Sequence, residues 1–191
     1  MSYQIFLGYL ASGVALASYA PYLRDIFRST TRPHSFSWFV WAVLSGIAFG
    51  VQLQSGAGAG AWVTGITAAA CFAVFTLSLV RGHKEFVMFD FLSLAGALAA
   101  FVLWVVVAQP LASIFLVILI YFFGYLPTFR KTFYKPDEET LVTFALSGIK
   151  YFLGLLALET LVPLTYLFPL AMLILDFSFV GMALIRRRQL A

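Results

Sequence analysis

Tyr19-Ala20-Pro21-Tyr22-Leu23-Arg24-Asp25-Ile26-Phe27 and Tyr125-Leu126-Pro127-Thr128-Phe129-Arg130-Lys131-Thr132-Phe133 read alike. Tyr, Pro, Arg and Phe coincide at a constant offset of 106, with an apolar residue before each Arg. Without a gap, the same offset carries Ser37 onto Thr143, Trp62 onto Phe168 and Arg81 onto Arg187. The matched positions are polar or conformationally special, which chance likeness between two apolar stretches does not supply. The chain is therefore read as an internal duplication.

What is duplicated follows from composition. The 191 residues are 62% hydrophobic and 10% charged, against about 45–50% and about 25% in a soluble domain. That excludes an ordinary soluble protein, and it excludes a disordered chain, which needs low hydrophobicity and high charge. The net charge of +4 is no nucleic-acid footprint in such a chain. Cys71 is the single cysteine, so no internal disulfide forms, and the absence of asparagine removes any glycosylation sequon. Met1-Ser2-Tyr3-Gln4 lacks the basic start of a secretory signal, so the first apolar stretch is expected to stay in the protein.

A membrane crossing takes about 20 mostly apolar residues. Residues 3–23 supply one. Residues 33–80 carry no charge and are too long for one helix, and Ser55-Gly56-Ala57-Gly58-Ala59-Gly60 divides them in two. Residues 86–108 supply a fourth. Pro110 is placed to open the fifth, 111–129. Residues 140–158 and 163–185 supply the sixth and seventh. Alternate connections then hold eleven of the twelve basic residues: Arg24, Arg28, Arg32; Arg81, Lys84; Arg130, Lys131, Lys135; Arg186, Arg187, Arg188. The opposite side holds none, so the N-terminus is expected outside and the C-terminus in the cytoplasm. Spans 1–3 are repeated as 5–7. A three-span unit repeated in one orientation needs an inverting span between the copies, and span 4 is that linker.

This arrangement resembles the SWEET and PQ-loop (MtN3/saliva-like) transporter family. Pro21 and Pro127 stand where that family carries a proline near the cytoplasmic end of each bundle's first helix. Leu23-Arg24 and Ser35-Phe36-Ser37 are similar to it as well, whereas Tyr22 and Thr128 replace the glutamine of the PQ loop. The resemblance implies an all-α membrane protein with seven transmembrane helices. Two parallel triple-helix bundles, 1–82 and 110–191, would be joined by a linker helix, 83–109. It implies transport of a small polar solute, sugar-like or amino-acid-like, by alternating access, with Pro21 and Pro127 as gating hinges. Sugar-transporting members place an asparagine on the third helix of each bundle. The nearest positions are Thr67 and the turn at 173–176, and this chain has no asparagine. Two related architectures give alternatives: a cargo-sorting receptor of the KDEL-receptor type, and a bacterial vitamin permease, whose paired tryptophans resemble Trp38-x-x-Trp41.

From the residues alone, the strongest signals are Lys150 and Asp176. A charge at a helix centre costs roughly 2.5–3.5 kcal/mol on the insertion scale, so such groups usually face a bundle interior or a cavity. Lys150 lies eleven residues from Glu139 and Asp176 ten from Arg186, roughly 16 and 15 Å deep at about 1.5 Å per residue. They are expected at one depth on adjacent antiparallel helices, either as an ion pair locking the helices or as a midplane site for a polar solute, a zwitterion or a proton. The first copy has Leu44 and Ala70 there. Thr64, Thr67 and Cys71 share a helix face, and Ser147 joins them as a candidate binding residue. Pro21 and Pro127 read as matched kinks. The four tryptophans are expected as an interfacial belt. His34, His83, Asp90 and Asp137-Glu138-Glu139 read as ordinary interfacial charges. No HExxH, CxxC or phosphate loop is present, so neither catalysis, metal nor cofactor is expected. The implied partners are a solute and lipid. One chain suffices as the working unit, although a homo-oligomer stays open.

Overall fold

A computed structural model describes residues 2–29, 33, 35–81, 88–134, 136 and 141–190, without the side chains of 89, 90, 126–128, 130 and 131. Among the described residues there are seven α-helices: α1 (Tyr3–Phe27), α2 (Ser35–Gln54), α3 (Trp62–Arg81), α4 (Met88–Val105), α5 (Pro110–Tyr134), α6 (Leu141–Leu156) and α7 (Pro163–Leu190). The expectations for Arg32, His34, Lys84, His83, Lys135 and 137–139, and for the side chains of Asp90, Arg130 and Lys131, lie outside the described residues, as does the side chain of Pro127.

The helix ends follow local chemistry. Ser2 caps α1, its hydroxyl accepting from the Ile5 amide at 3.4 Å. Pro110 and Pro163 open α5 and α7, where a missing N–H costs nothing. Between α2 and α3 the chain turns at Gly56 (φ 75°) and Gly58 (φ 59°), a left-handed conformation that glycine adopts freely. It continues as a short 3-10 turn, Gly58–Ala61, before α3.

α1, α2, α3 (with its 3-10 turn) and α7 are long and apolar enough to cross a membrane by length and composition. Three shorter apolar stretches accompany them: Phe91–Val105, Pro110–Tyr125 and Leu141–Leu156. Four of the expected seven spans thus meet the length and composition of a full crossing among the described residues. The 16 residues of α6 rise only about 24 Å, short of a hydrocarbon core of about 30 Å. The outer surface is apolar, with Phe6, Leu16, Phe72, Leu92, Leu98, Phe115 and Ile174 all exposed. A water-soluble protein does not spread apolar side chains this way. The chain is an all-helical, multi-pass membrane protein.

Two sets of three helices can be traced, although α1 packs on α6 more extensively than on α3. α1 packs on α3 and α3 on α2; α5 packs on α7 and α7 on α6. Across these sets α1 packs on α6 and α2 on α5. α1 offers a stripe of small buried residues, Gly8, Ala11, Ala15 and Ser18, and α6 buries Gly148 and Gly154. Small residues let helices approach where lipid provides no hydrophobic drive. The main core joins Leu44, Ile47 and Val51 to Ile114, Val117, Phe168 and Met172.

Candidate functional site

Lys150 and Asp176 are both buried, 2% and 0% exposed. They are the charged residues among the buried described positions. The structure corrects the simple ion pair: no N···O contact within 4.0 Å joins them. Each is held by other groups. The Lys150 ammonium reaches out of α6, donating to Tyr19 Oη of α1 at 3.4 Å and Thr67 Oγ1 of α3 at 3.1 Å. It also lies over the Tyr19 ring at 4.7 Å and the Tyr151 ring at 5.0 Å, where the π-faces attract a cation. Asp176 of α7 accepts from Tyr125 Oη of α5 at 2.8 Å through Oδ1, while Oδ2 has no hydrogen-bond partner. Ser147 stands beside the carboxylate. The two charges feel each other electrostatically across the gap.

The candidate threonines and cysteine divide. Thr64, Thr67 and Cys71 are all buried on one face of α3. Thr67 donates to the Val63 carbonyl at 2.8 Å, which leaves its oxygen free to accept from Lys150. It back-bonds to its helix and meets the charge at once. Cys71 Sγ lies 3.9 Å from Tyr19 Oη. Thr64 Oγ1 is buried without a partner. Pro21 lies inside α1, and the helix continues beyond it to Phe27; α5 likewise runs through position 127.

Sequence reading missed four groups. Tyr19 and Tyr125 occupy equivalent positions in the duplicated motif, and each holds one of the buried charges. Their coincidence at the offset of 106 was the available signal. Tyr121 of α5 shares a 2.6 Å hydrogen bond with Ser45 of α2 and donates to the Trp41 carbonyl at 3.2 Å. Pro169 lies inside α7 and is buried. Lacking an N–H, it leaves the carbonyl four residues earlier without its helical donor. That carbonyl belongs to Thr165, and Gln52 Nε2 of α2 donates to it at 2.9 Å. A side chain from another helix thus satisfies a group that lipid cannot.

The ends of the assembly differ. Away from the basic ends, Ala57, Ala61 and Leu158 form a second buried cluster, and the Glu159 amide donates to the Ala57 carbonyl at 3.2 Å. A Cβ on Gly60 would stand 2.6 Å from Leu158 Cδ2 and 2.8 Å from the Gly154 carbonyl. Toward the basic ends, Tyr19, Tyr22, Trp38, Tyr125 and Ser147 are half-buried. Trp38 donates to Tyr22 Oη at 3.3 Å and meets Tyr19, Tyr22 and Trp41 edge-on or tilted. The Trp38 ring joins the aromatic group next to Tyr19, and its N–H finds a phenol there. Trp104, whose N–H donates to Gln54 Oε1 at 2.9 Å, is likewise half-buried and packs on the main core.

The basic ends carry one device twice. Arg81 of α3 donates to the Ile26 and Phe27 carbonyls of α1 at 3.5 and 3.2 Å and lies 5.5 Å from the Phe27 ring. Arg186 of α7 donates to the Phe133 carbonyl of α5 at 2.9 Å and lies 4.2 Å from the Phe133 ring. Arg187 adds two bonds to the Pro136 carbonyl, at 3.0 and 2.9 Å. Cations at helix C-termini meet both free carbonyls and the negative end of the dipole. Comparison of the chain with family profiles, with curated proteins and with solved structures finds no match.

Proposed function

We propose that this chain is a membrane transporter of a small polar solute, sugar-like or amino-acid-like, of the SWEET and PQ-loop kind. In this reading two three-helix bundles, residues 1–82 and 110–191, rock against each other about a site near the midplane, with residues 83–109 as the linker. Support for the two-bundle reading comes from matched packing: the first helix on the third and the third on the second, in both sets. Phe27 and Phe133, equivalent at the offset of 106, each meet an arginine, although Arg186 stands one residue before Arg187, the equivalent of Arg81. These arginine clasps join the basic end of α3 to that of α1 and the basic end of α7 to that of α5, in keeping with a cytoplasmic basic face and an outside N-terminus.

One observation carries the transport reading. Two opposite charges are buried between the sets and left apart, with a carboxylate oxygen unpartnered. A purely structural pair gains most by closing, since direct contact is what offsets desolvation. An open pair is suited to receive a solute. The tightly packed end beyond Ala57 and Leu158, against the half-buried aromatics at the basic end, fits a state closed to the outside.

The test is uptake into liposomes that hold the purified chain, with sugars, amino acids, nucleosides and vitamins as candidate solutes. Saturable uptake of one class, lost in Asp176→Asn, is the expected result. Saturable binding without uptake replaces transport by a sorting-receptor role. Neither binding nor uptake by well-folded protein overturns the reading.

A further inference from the structure

We infer that the site between Lys150 and Asp176 takes a zwitterion of the amino-acid type, whose carboxylate meets Lys150 and whose ammonium meets Asp176. This rests on the transport reading for the location of the site and goes beyond it in naming the solute class.

The hydrogen-bond inventory points there. A lysine ammonium has three N–H donors and no acceptor. Lys150 places two of them, on Tyr19 Oη and Thr67 Oγ1. One remains for an acceptor, and an anion makes the strongest partner. Asp176 has the converse vacancy: Oδ1 is taken by Tyr125, and Oδ2, fully buried, accepts from no group. It asks for a donor, and a cation makes the strongest one. Thr64 Oγ1 is a further buried polar atom without a partner, one turn from Thr67 on the same face.

Charge balance narrows the class. The site contributes one positive and one negative group, and the other buried polar residues among the described positions are neutral. A solute with a net charge would leave an uncompensated charge in a low-dielectric interior, which is costly. A neutral polyol adds no charge, yet it gives the ammonium and the carboxylate only neutral partners, about half as strong as charged ones. A zwitterion adds no net charge and pairs both groups with ions. Its side chain meets Tyr151 and Cys71, which are buried and uncharged in kind, so a neutral side chain fits.

Cys71 supplies the readout, being the single cysteine and 3.9 Å from Tyr19 Oη. The rate of its alkylation by N-ethylmaleimide is followed by mass on the full chain in detergent. The added solutes are alanine, alanine methyl ester, N-acetylalanine and glucose. Alanine is expected to slow alkylation about tenfold or more at saturation, while the ester and the N-acetyl form, each lacking one charge, lose about tenfold or more in affinity. Asp176→Asn, which keeps the shape and removes the charge, is expected to abolish protection. The unfolding temperature with the same four solutes gives a second readout that does not need Cys71 to react. Protection by the ester, the N-acetyl form or glucose equal to that by alanine overturns the inference, as does protection that survives Asp176→Asn or no effect of alanine in either readout. Alanine binding without liposome uptake leaves the solute class standing and removes transport. Glucose uptake with no alanine binding does the reverse.

Discussion

Lys150 and Asp176 would be destabilising in an apolar helix bundle without the hydroxyls that hold them. Tyr19→Phe keeps the ring over the ammonium and removes one of its two acceptors. Solute affinity is expected to fall about tenfold, close to one net hydrogen bond to a charged group, and stability by about 1–3 kcal/mol for the buried donor left without its acceptor; titration calorimetry and chemical unfolding check this. Tyr125→Phe is expected to act on stability, because it removes the phenol that donates to Asp176 Oδ1. A loss of about 1–3 kcal/mol is expected in chemical unfolding. Exchanging the charges for apolar groups tests their coupling. Lys150→Met and Asp176→Leu are each expected to destabilise the chain, and the double variant by less than the sum, with a coupling of about 0.5–3 kcal/mol. Strict additivity would show that the two charges act independently.

At the scale of helices, Pro169 and Gln52 form one device. The proline frees the Thr165 carbonyl and the amide from α2 satisfies it. Gln52→Leu is expected to cost about 1–3 kcal/mol, the penalty of an orphaned buried acceptor. In a Pro169→Ala background the helix regains its own N–H, and the same change is expected to cost much less; unfolding of the four variants decides it. The arginine clasps are more exposed. Arg81→Ala and Arg186→Ala are each expected to cost about 1 kcal/mol, the scale of a helix-end charge with a cation–π contact. The close approach at Gly60 is less forgiving. Gly60→Val must displace Leu158 or the α6 backbone, and overpacking of this kind costs about 1–3 kcal/mol.

For the whole molecule, the proposed orientation rests on the basic ends and the proposed outward-closed state on the packing of Ala57, Ala61 and Leu158. In a Cys71→Ser background, a cysteine at Glu159, which is exposed, is expected to react with a membrane-impermeant thiol reagent only from outside intact cells. A cysteine at Gln189 is expected to react only from inside. The reverse result would invert the orientation. With native Cys71 alone, the same reagent is expected to reach the site faster from the basic side, since in the proposed state the cluster of Ala57, Ala61 and Leu158 packs across the opposite end.

The sequence by itself determined the class, the helices and the two charges. Apolar runs, glycine and proline breaks and the one-sided arginines are local signals, and a helix in lipid must satisfy its backbone within itself, so its ends are written in its own residues. Pro110 and the Gly56–Gly58 turn were legible for that reason. The burial of Lys150 and Asp176 was also legible, because a charge within an apolar helix must face inward. Their partners were not. Whether Lys150 meets Asp176 or Tyr19 and Thr67 depends on how helices rotate about their axes and how closely α1 approaches α6, and the small-residue stripe permits that approach without specifying the contact. Only the tertiary structure decided that the charges stand apart, that Trp38 meets Tyr19 and Tyr22, and that Gln52 serves the carbonyl Pro169 releases. Each of these joins residues from helices far apart in the chain, where no local periodicity reaches.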